Sequence, residues 1–194
     1  ILPLCYGQHG ANRPHWQWKA LPEPRPLYNL PVLAVLPDAP VLLVEGEKTA
    51  DAAQASFPRL AALTWSGGAS AVSKADFSPL QGRNIIIWPD NDEPGFKAAL
   101  TLVERLNGIA VSVRVVLPPD TLPDKWDLAN LFPSGFIPQE QLEAALPAAE
   151  FIHKAVARYP NLVSVVQIQE SATASEPDID LKEWPQFSWE ACPG

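Results

Sequence analysis

Methionine is absent from all 194 residues, and only two cysteines and three histidines are present. Without a methionine, residue 1 is not a native start, so the chain reads as a fragment of a longer protein. Cys5 and Cys192 stand at opposite ends, which excludes a zinc spacing or a disulfide framework. A reducing, cytoplasmic setting is the default expectation for such cysteine usage. No apolar run approaches the roughly 18 residues of a membrane span. No basic-then-apolar leader opens the chain. Positive charge is scarce as well. Residues 1–119 hold ten Lys/Arg against ten Asp/Glu, and residues 120–194 hold four against twelve, which supplies the whole net charge of −8. That is a weak footprint for a stand-alone nucleic-acid binder, so metal ions or a neighbouring domain would have to bring such a substrate in.

Proline, by contrast, is plentiful. Residues 1–38 form a proline- and aromatic-rich lead-in, RPHWQWKALPEPRPLYNLP, where proline density blocks long helices and central strands. One short hairpin is expected at HWQWKAL. From residue 39 to 158 the pattern is that of a folded domain. VLLVEGE, LAALTW, NIIIWPD and VSVRVVLP predict four strands. TADAAQASF, capped at Thr49, predicts a helix, and SAVSKADF a short one. EPGFKAALTLVERLNG predicts another, with Phe96, Leu100, Val103 and Leu106 on one face and a stop at Asn107-Gly108. DLANLF and PQEQLEAALPAAEFIHKAVARY also read as helical. Strands alternating with helices imply an α/β fold, a parallel doubly wound sheet of about four strands flanked by helices. Residues 159–194 are polar, acidic and proline-containing, and read as a linker or extended arm toward a downstream domain. No internal repeat is visible.

In doubly wound sheets, ligands bind past the carboxyl ends of the strands. Glu45 ends the first strand, and Asp90 and Asp92 end the third, so all three belong to one edge. Crowded carboxylates repel unless one keeps a proton or a cation joins them. Magnesium is the fitting cation, since it takes oxygen ligands from one or two carboxylates and completes its shell with water and phosphate. A second reading stands beside this one: Asp-x-Asp before Glu-Pro-Gly is also good turn and helix-cap chemistry. Capping does not account for Glu45 when Thr49 is at hand.

VLLVEGEKTADAA, SGGAS and IIIWPDNDEPG together resemble the Toprim domain of DNA primases, topoisomerases and some nucleases. Its hallmarks are Glu-Gly after the first strand and Asp-x-Asp after the third, here Glu45-Gly46 and Asp90-Asn91-Asp92. The resemblance covers about residues 40–131. RPLYNLP, SPLQGR before WPD, and PDKWDLANLF resemble the Toprim segment of primase-like proteins from phages and mobile elements. EWPQFSWEACPG is similar to the lead-in to a helicase-like ATPase domain.

The resemblance implies a nucleotidyltransferase domain for primer synthesis in DNA replication. Single-stranded DNA template and nucleoside triphosphates would be its partners in the full-length protein, in a prokaryotic or phage-infected cytoplasm, with no membrane. It implies Mg²⁺, with Mn²⁺ as a substitute, and no zinc in this stretch. Glu45 would act as general acid/base or metal ligand, and Asp90 and Asp92 as metal ligands. Asp127, or Asp124, would add a further carboxylate. Gly67 and Gly68 would let backbone approach the metal or phosphate edge. Lys48, Lys74, Arg83 and Lys97 are candidates for the phosphate or nucleic-acid path, each with an ordinary solvated surface role as the alternative. The usual middle glycine of the Asp-x-Asp turn is replaced by Asn91. A metal-dependent nuclease and a non-catalytic DNA- or partner-binding module stay open beside the primase reading. Tyr6, Tyr28 and Tyr159 lie in no topoisomerase-like motif. His9, His15 and His153 read as structural or solvent-facing, and Trp16 and Trp18 as packing residues rather than base-stacking ones.

Overall fold

The computed structural model describes residues 21–166, together with the backbone of Leu4–Cys5 and Trp18–Lys19. The expectations for Tyr6, His9, His15, Trp16, Cys192, the side chains of Cys5 and Trp18, and residues 167–194 lie outside the described residues. The short hairpin expected within HWQWKAL is instead an antiparallel pair of β1 (Leu4–Cys5) with β2 (Trp18–Lys19). The lead-in reaches the domain at two bridges, Arg25 to Ala75 and Tyr28 to Thr64, with Leu27 buried between them. A single helical turn, α1 (Val32–Val35), follows.

The domain is a sheet of five strands in the order β4-β3-β5-β6-β7. β3 (Val41–Val44), β4 (Ala61–Leu63), β5 (Asn84–Trp88) and β6 (Ser112–Val115) run parallel, as the four apolar runs predict. β3 and β4 are buried along their whole length, and β5 from its second residue on, because helices cover both faces. Val41, Leu43, Ile85 and Ile87 turn to one face, where α3 (Glu93–Leu106) and α5 (Ala148–Arg158) bring Phe96, Leu100 and Phe151. Leu42, Val44, Ile86 and Trp88 turn to the other, under Ala50 and Ala53 of α2 (Glu47–Ser56). Each such fully buried side chain contributes about 1.5–3 kcal/mol relative to exposure. Among the described residues no helix is long and apolar enough to cross a membrane.

Three local expectations are corrected. The helix after β3 starts at Glu47, not at Thr49; Gly46, at φ +84, is its N-cap and Thr49 is buried inside the first turn. Glycine takes that backbone conformation without a Cβ penalty, so the chain turns into the helix earlier than a threonine cap allows. DLANLF forms a turn rather than a helix, because Asp127 Oδ1 accepts from Ala129 N–H at 2.7 Å and Asn130 Oδ1 from Asp127 N–H at 2.9 Å. These side-chain bonds compete with helix formation. The long run at 138–159 is broken into α4 (Pro138–Glu143) and α5 by β7 (Leu146–Pro147), a fifth strand antiparallel to β6. Proline is tolerated there because β7 is an edge strand.

SAVSKADF forms a 3-10 helix, Ala69–Lys74. α3 ends at Asn107 and Gly108 (φ +75), where the sequence signals a stop. Residues 159–166, the beginning of the expected arm, fold as a 3-10 turn (Pro160–Leu162) and α6 (Val163–Val166), with Leu162 buried in the core.

Candidate functional site: an acidic edge at the switch point

The chain passes from β3 outward to β4, then crosses back over β3 to β5 on its other side. That reversal opens a crevice at the carboxyl ends of β3 and β5, where this architecture binds ligands. In the parallel register Val44 lies opposite Trp88. Glu45 is one residue beyond the first of these and Asp90 two beyond the second, so adjacent strands deliver both carboxylates to one place.

Each carboxylate is held by its own local structure. Glu45 Oε1 accepts from Ala69 N–H at 2.8 Å. The Ser66-Gly67-Gly68 loop carries Ala69 over it, through two glycines at φ +107 and +73. A Cβ on Gly68 would stand 3.6 Å from Glu45 Oε1, and one on Gly67 would meet Ala71 Cβ at 2.8 Å. The 3.6 Å approach is ordinary contact; the positive φ at both positions, and the close approach to Ala71 at Gly67, are what call for glycine here. Asp92 is the N-cap of α3, its Oδ1 accepting from Gly95 N–H at 2.7 Å. The capping reading of the Asp-x-Asp turn is thus correct for Asp92.

The charges act on one another. Burial pushes the Asp90 carboxyl up to about 8, with further upward pushes from Glu45, Asp127 and Asp92. Burial also raises Glu45, opposed by the Ala69 hydrogen bond and reinforced by Asp92. Four acidic side chains thus converge on this edge, Asp127 among them. Asp124 is exposed and is not among the charges acting on Asp90.

Among the described residues no three His, Cys, Asp or Glu side chains are already drawn to metal-ligand spacing. The donor chemistry is nonetheless that of a hard divalent cation. The donors are all carboxylate oxygens, and Asp90 stands half-buried among like charges, which a proton or a cation relieves. Mg²⁺ is commonly held by one or two carboxylates, keeps several waters and takes phosphate oxygens from substrate.

The basic candidates divide. Lys48 is exposed on the first turn of α2, and Lys97 is exposed near the start of α3, both at the acidic edge of the sheet. Lys74 pairs with Glu23 at 3.4 Å. Arg83 is corrected: it precedes β5, at the opposite edge, and donates to the carbonyls of Leu36, Ala39 and Leu33 at 2.9, 3.3 and 3.2 Å. It closes the turn after α1, because those carbonyls have no helical partner ahead of them. Arg83→Ala is expected to lower stability by about 1–3 kcal/mol and leave nucleic-acid affinity unchanged. Thermal unfolding beside a binding titration checks both.

Sequence reasoning missed several residues at this edge. Thr64, fully buried, accepts from Gly46 N–H at 2.9 Å and fixes the turn behind Glu45. Its signal was a hydroxyl closing an apolar strand. Arg25 reaches the Ser66 carbonyl at 3.4 Å and lies against Gly67, placing a guanidinium beside the loop that covers Glu45. Asn91 is buried, and no pattern in the sequence announces its partners.

A family described only as a domain of unknown function, DUF6371, matches residues 14–91. No curated protein matches the chain. Among solved structures, the DnaG catalytic core is similar at TM-score 0.51 and 18% identity, over 84% of this chain and 56% of that one. The E. coli primase catalytic core is similar at TM-score 0.49 and 20% identity, over 78% of this chain and 50% of that one. The DnaG primase catalytic domain bound to single-stranded DNA is similar at TM-score 0.47 and 20% identity, over 73% of this chain and 48% of that one. The chain spans about half the length of these catalytic cores. Its five-stranded, mostly parallel sheet flanked by helices is similar to the fold of the DnaG catalytic core.

Proposed function

We propose that this chain is the Mg²⁺-dependent Toprim domain of a primase-like protein from a phage or mobile element, acting in nucleotidyl transfer during primer synthesis. The observation that carries the reading is Asp90, held among Glu45, Asp92 and Asp127 at the switch point, with its carboxyl pushed up to about 8. Asp90, Asp92 and Glu45 would hold Mg²⁺, with Asp127 at the rim. When bound, the ion would neutralise phosphate charge and acidify a coordinated hydroxyl. Mn²⁺ would substitute for it.

The chain's own residues supply the rest. Glu45, raised by burial and oriented by Ala69, is suited to take a proton from the attacking hydroxyl. The N-terminus of α3 brings the positive end of its helix dipole to the same edge, where phosphate oxygens would lie. Lys48 and Lys97 stand at the margin as phosphate contacts. Single-stranded DNA and nucleoside triphosphates are the substrates of this reading, a helicase-like ATPase domain its companion, and the cytoplasm its setting.

The test is de novo synthesis on a single-stranded template by the intact protein, with Glu45→Gln beside the wild type. The substitution is expected to reduce incorporation by about 10²–10⁴-fold. Wild-type rates in the variant contradict the reading. Cleavage of the template with Mg²⁺, without incorporation, would assign the same edge to a nuclease.

A further inference from the structure

Asn91 stands between Asp90 and Asp92, and all its polar atoms are in use. Its Nδ2 donates to the carbonyls of Leu122 and Pro123, both at 2.9 Å. Its backbone N–H donates to Trp126 O at 2.9 Å, and its carbonyl accepts from Lys125 N–H at 3.1 Å. Its Oδ1 accepts from Arg158 Nη2 at 2.9 Å, across 67 residues of sequence.

Arg158, the last residue of α5, is likewise fully engaged. Nη1 donates to Pro118 O at 2.8 Å, and Nε pairs with Asp120 Oδ1 at 3.1 Å. The guanidinium lies over Phe96, 5.0 Å from its centroid, on the first turns of α3. One side chain therefore joins three parts: the acidic turn, the start of the segment leading to Asp127, and the helix that Asp92 caps. Only a planar fork reaches so many partners at once; a lysine ammonium would not.

We propose that Arg158 is a positioning residue for the acidic edge, clasping Asn91 and so fixing the turn that carries Asp90 and Asp92 to the edge shared with Glu45 and Asp127. The inference rests on the metal reading above and adds to it a control point in the last turn of α5. The reason that this is more than packing is its target. The bond falls on the single residue between two proposed ligands, so any slack is transmitted to both.

Mn²⁺ titrated calorimetrically into the intact chain tests the clasp, with Tm recorded for each variant. Arg158→Lys and Arg158→Ala are expected to weaken Mn²⁺ binding by about 10–100-fold, as lost outer-shell partners of metal sites do. Arg158→Lys keeps the charge and decides the matter if Arg158→Ala fails to fold. Adding Arg158→Lys to Asn91→Leu is expected to weaken Mn²⁺ binding little beyond Asn91→Leu alone, because Arg158 reaches the acidic turn through Asn91 Oδ1. A lowered Tm with Mn²⁺ affinity within about twofold of wild type overturns the clasp while leaving the metal reading intact. No Mn²⁺ binding by the wild type overturns both.

Discussion

Replacing Asp90 by asparagine is expected to abolish divalent-ion binding and, in the same protein without metal, to raise Tm at neutral pH. The two effects have one cause. Asp90 is half-buried among like charges, so its ionised form is disfavoured in the fold and its carboxyl is pushed up to about 8. In the unfolded chain an aspartate titrates near 3.9. The folded state therefore binds the proton more tightly. The stability linked to Asp90 is fully present below about pH 4 and is lost as pH rises toward 8. Glu45 is raised as well and adds in the same direction.

Asparagine keeps the shape, carries no charge and removes that loss. Each kcal/mol of relieved repulsion raises Tm by about 2–4 °C for a chain of this size. Mn²⁺ at pH 8 is expected to stabilise the wild type and not the variant, since only the wild type gains by binding. Thermal unfolding at pH 5 and pH 8, with and without Mn²⁺, reads all of this. A Tm that falls in metal-free D90N, with Mn²⁺ stabilisation retained, would show that Asp90 is an ordinary structural carboxylate.

Gly95→Ala is expected to be the most damaging small substitution in α3. Alanine favours a helix interior over glycine by about 0.5–1 kcal/mol, so propensity alone predicts a gain. The site reverses the sign. A Cβ there would stand 2.5 Å from Asp90 O and 3.0 Å from Asp90 N and Cβ, so the nearest obstacle is backbone with no side-chain freedom to yield. Either α3 lifts from β5 or the turn after β5 moves. Overpacking of this kind costs about 1–3 kcal/mol and occasionally more.

The functional consequence exceeds the stability loss. Gly95 N–H is the donor that holds Asp92 Oδ1, so displacing it loosens the cap and a proposed ligand together. Mn²⁺ affinity is expected to fall with Tm. A G95A protein with raised Tm and unchanged affinity would mean that the helix start and the acidic turn are not coupled.

The sheet was legible because its evidence is periodic and local. VLLV, AAL and NIIIW are short, apolar and bounded by turn residues, and their pairing follows from the alternation with helices. The acidic edge was legible for a related reason. Once the sheet is parallel, Glu45 and Asp90 must share an end, whatever the details of packing. Arg83 shows where that logic stops. Its position before β5 was in view, but its three carbonyl partners belong to a turn nearly fifty residues earlier. β7 was hidden because Leu146-Pro147 interrupts an alanine-rich run whose propensity is helical on both sides, and an edge strand of two residues carries no alternation of its own. Asn91 and Arg158 were hidden for the same reason as Arg83: nothing local marks a pair 67 residues apart.

The central claim is that Glu45, Asp90 and Asp92 share one divalent ion at the edge between β3 and β5. Crystals of the chain soaked in Mn²⁺ and measured at the manganese absorption edge test it most directly. The account predicts an anomalous peak within coordination distance of Asp90 and at least one of the other two carboxylates. A structure at saturating Mn²⁺ with no peak at this edge would contradict it.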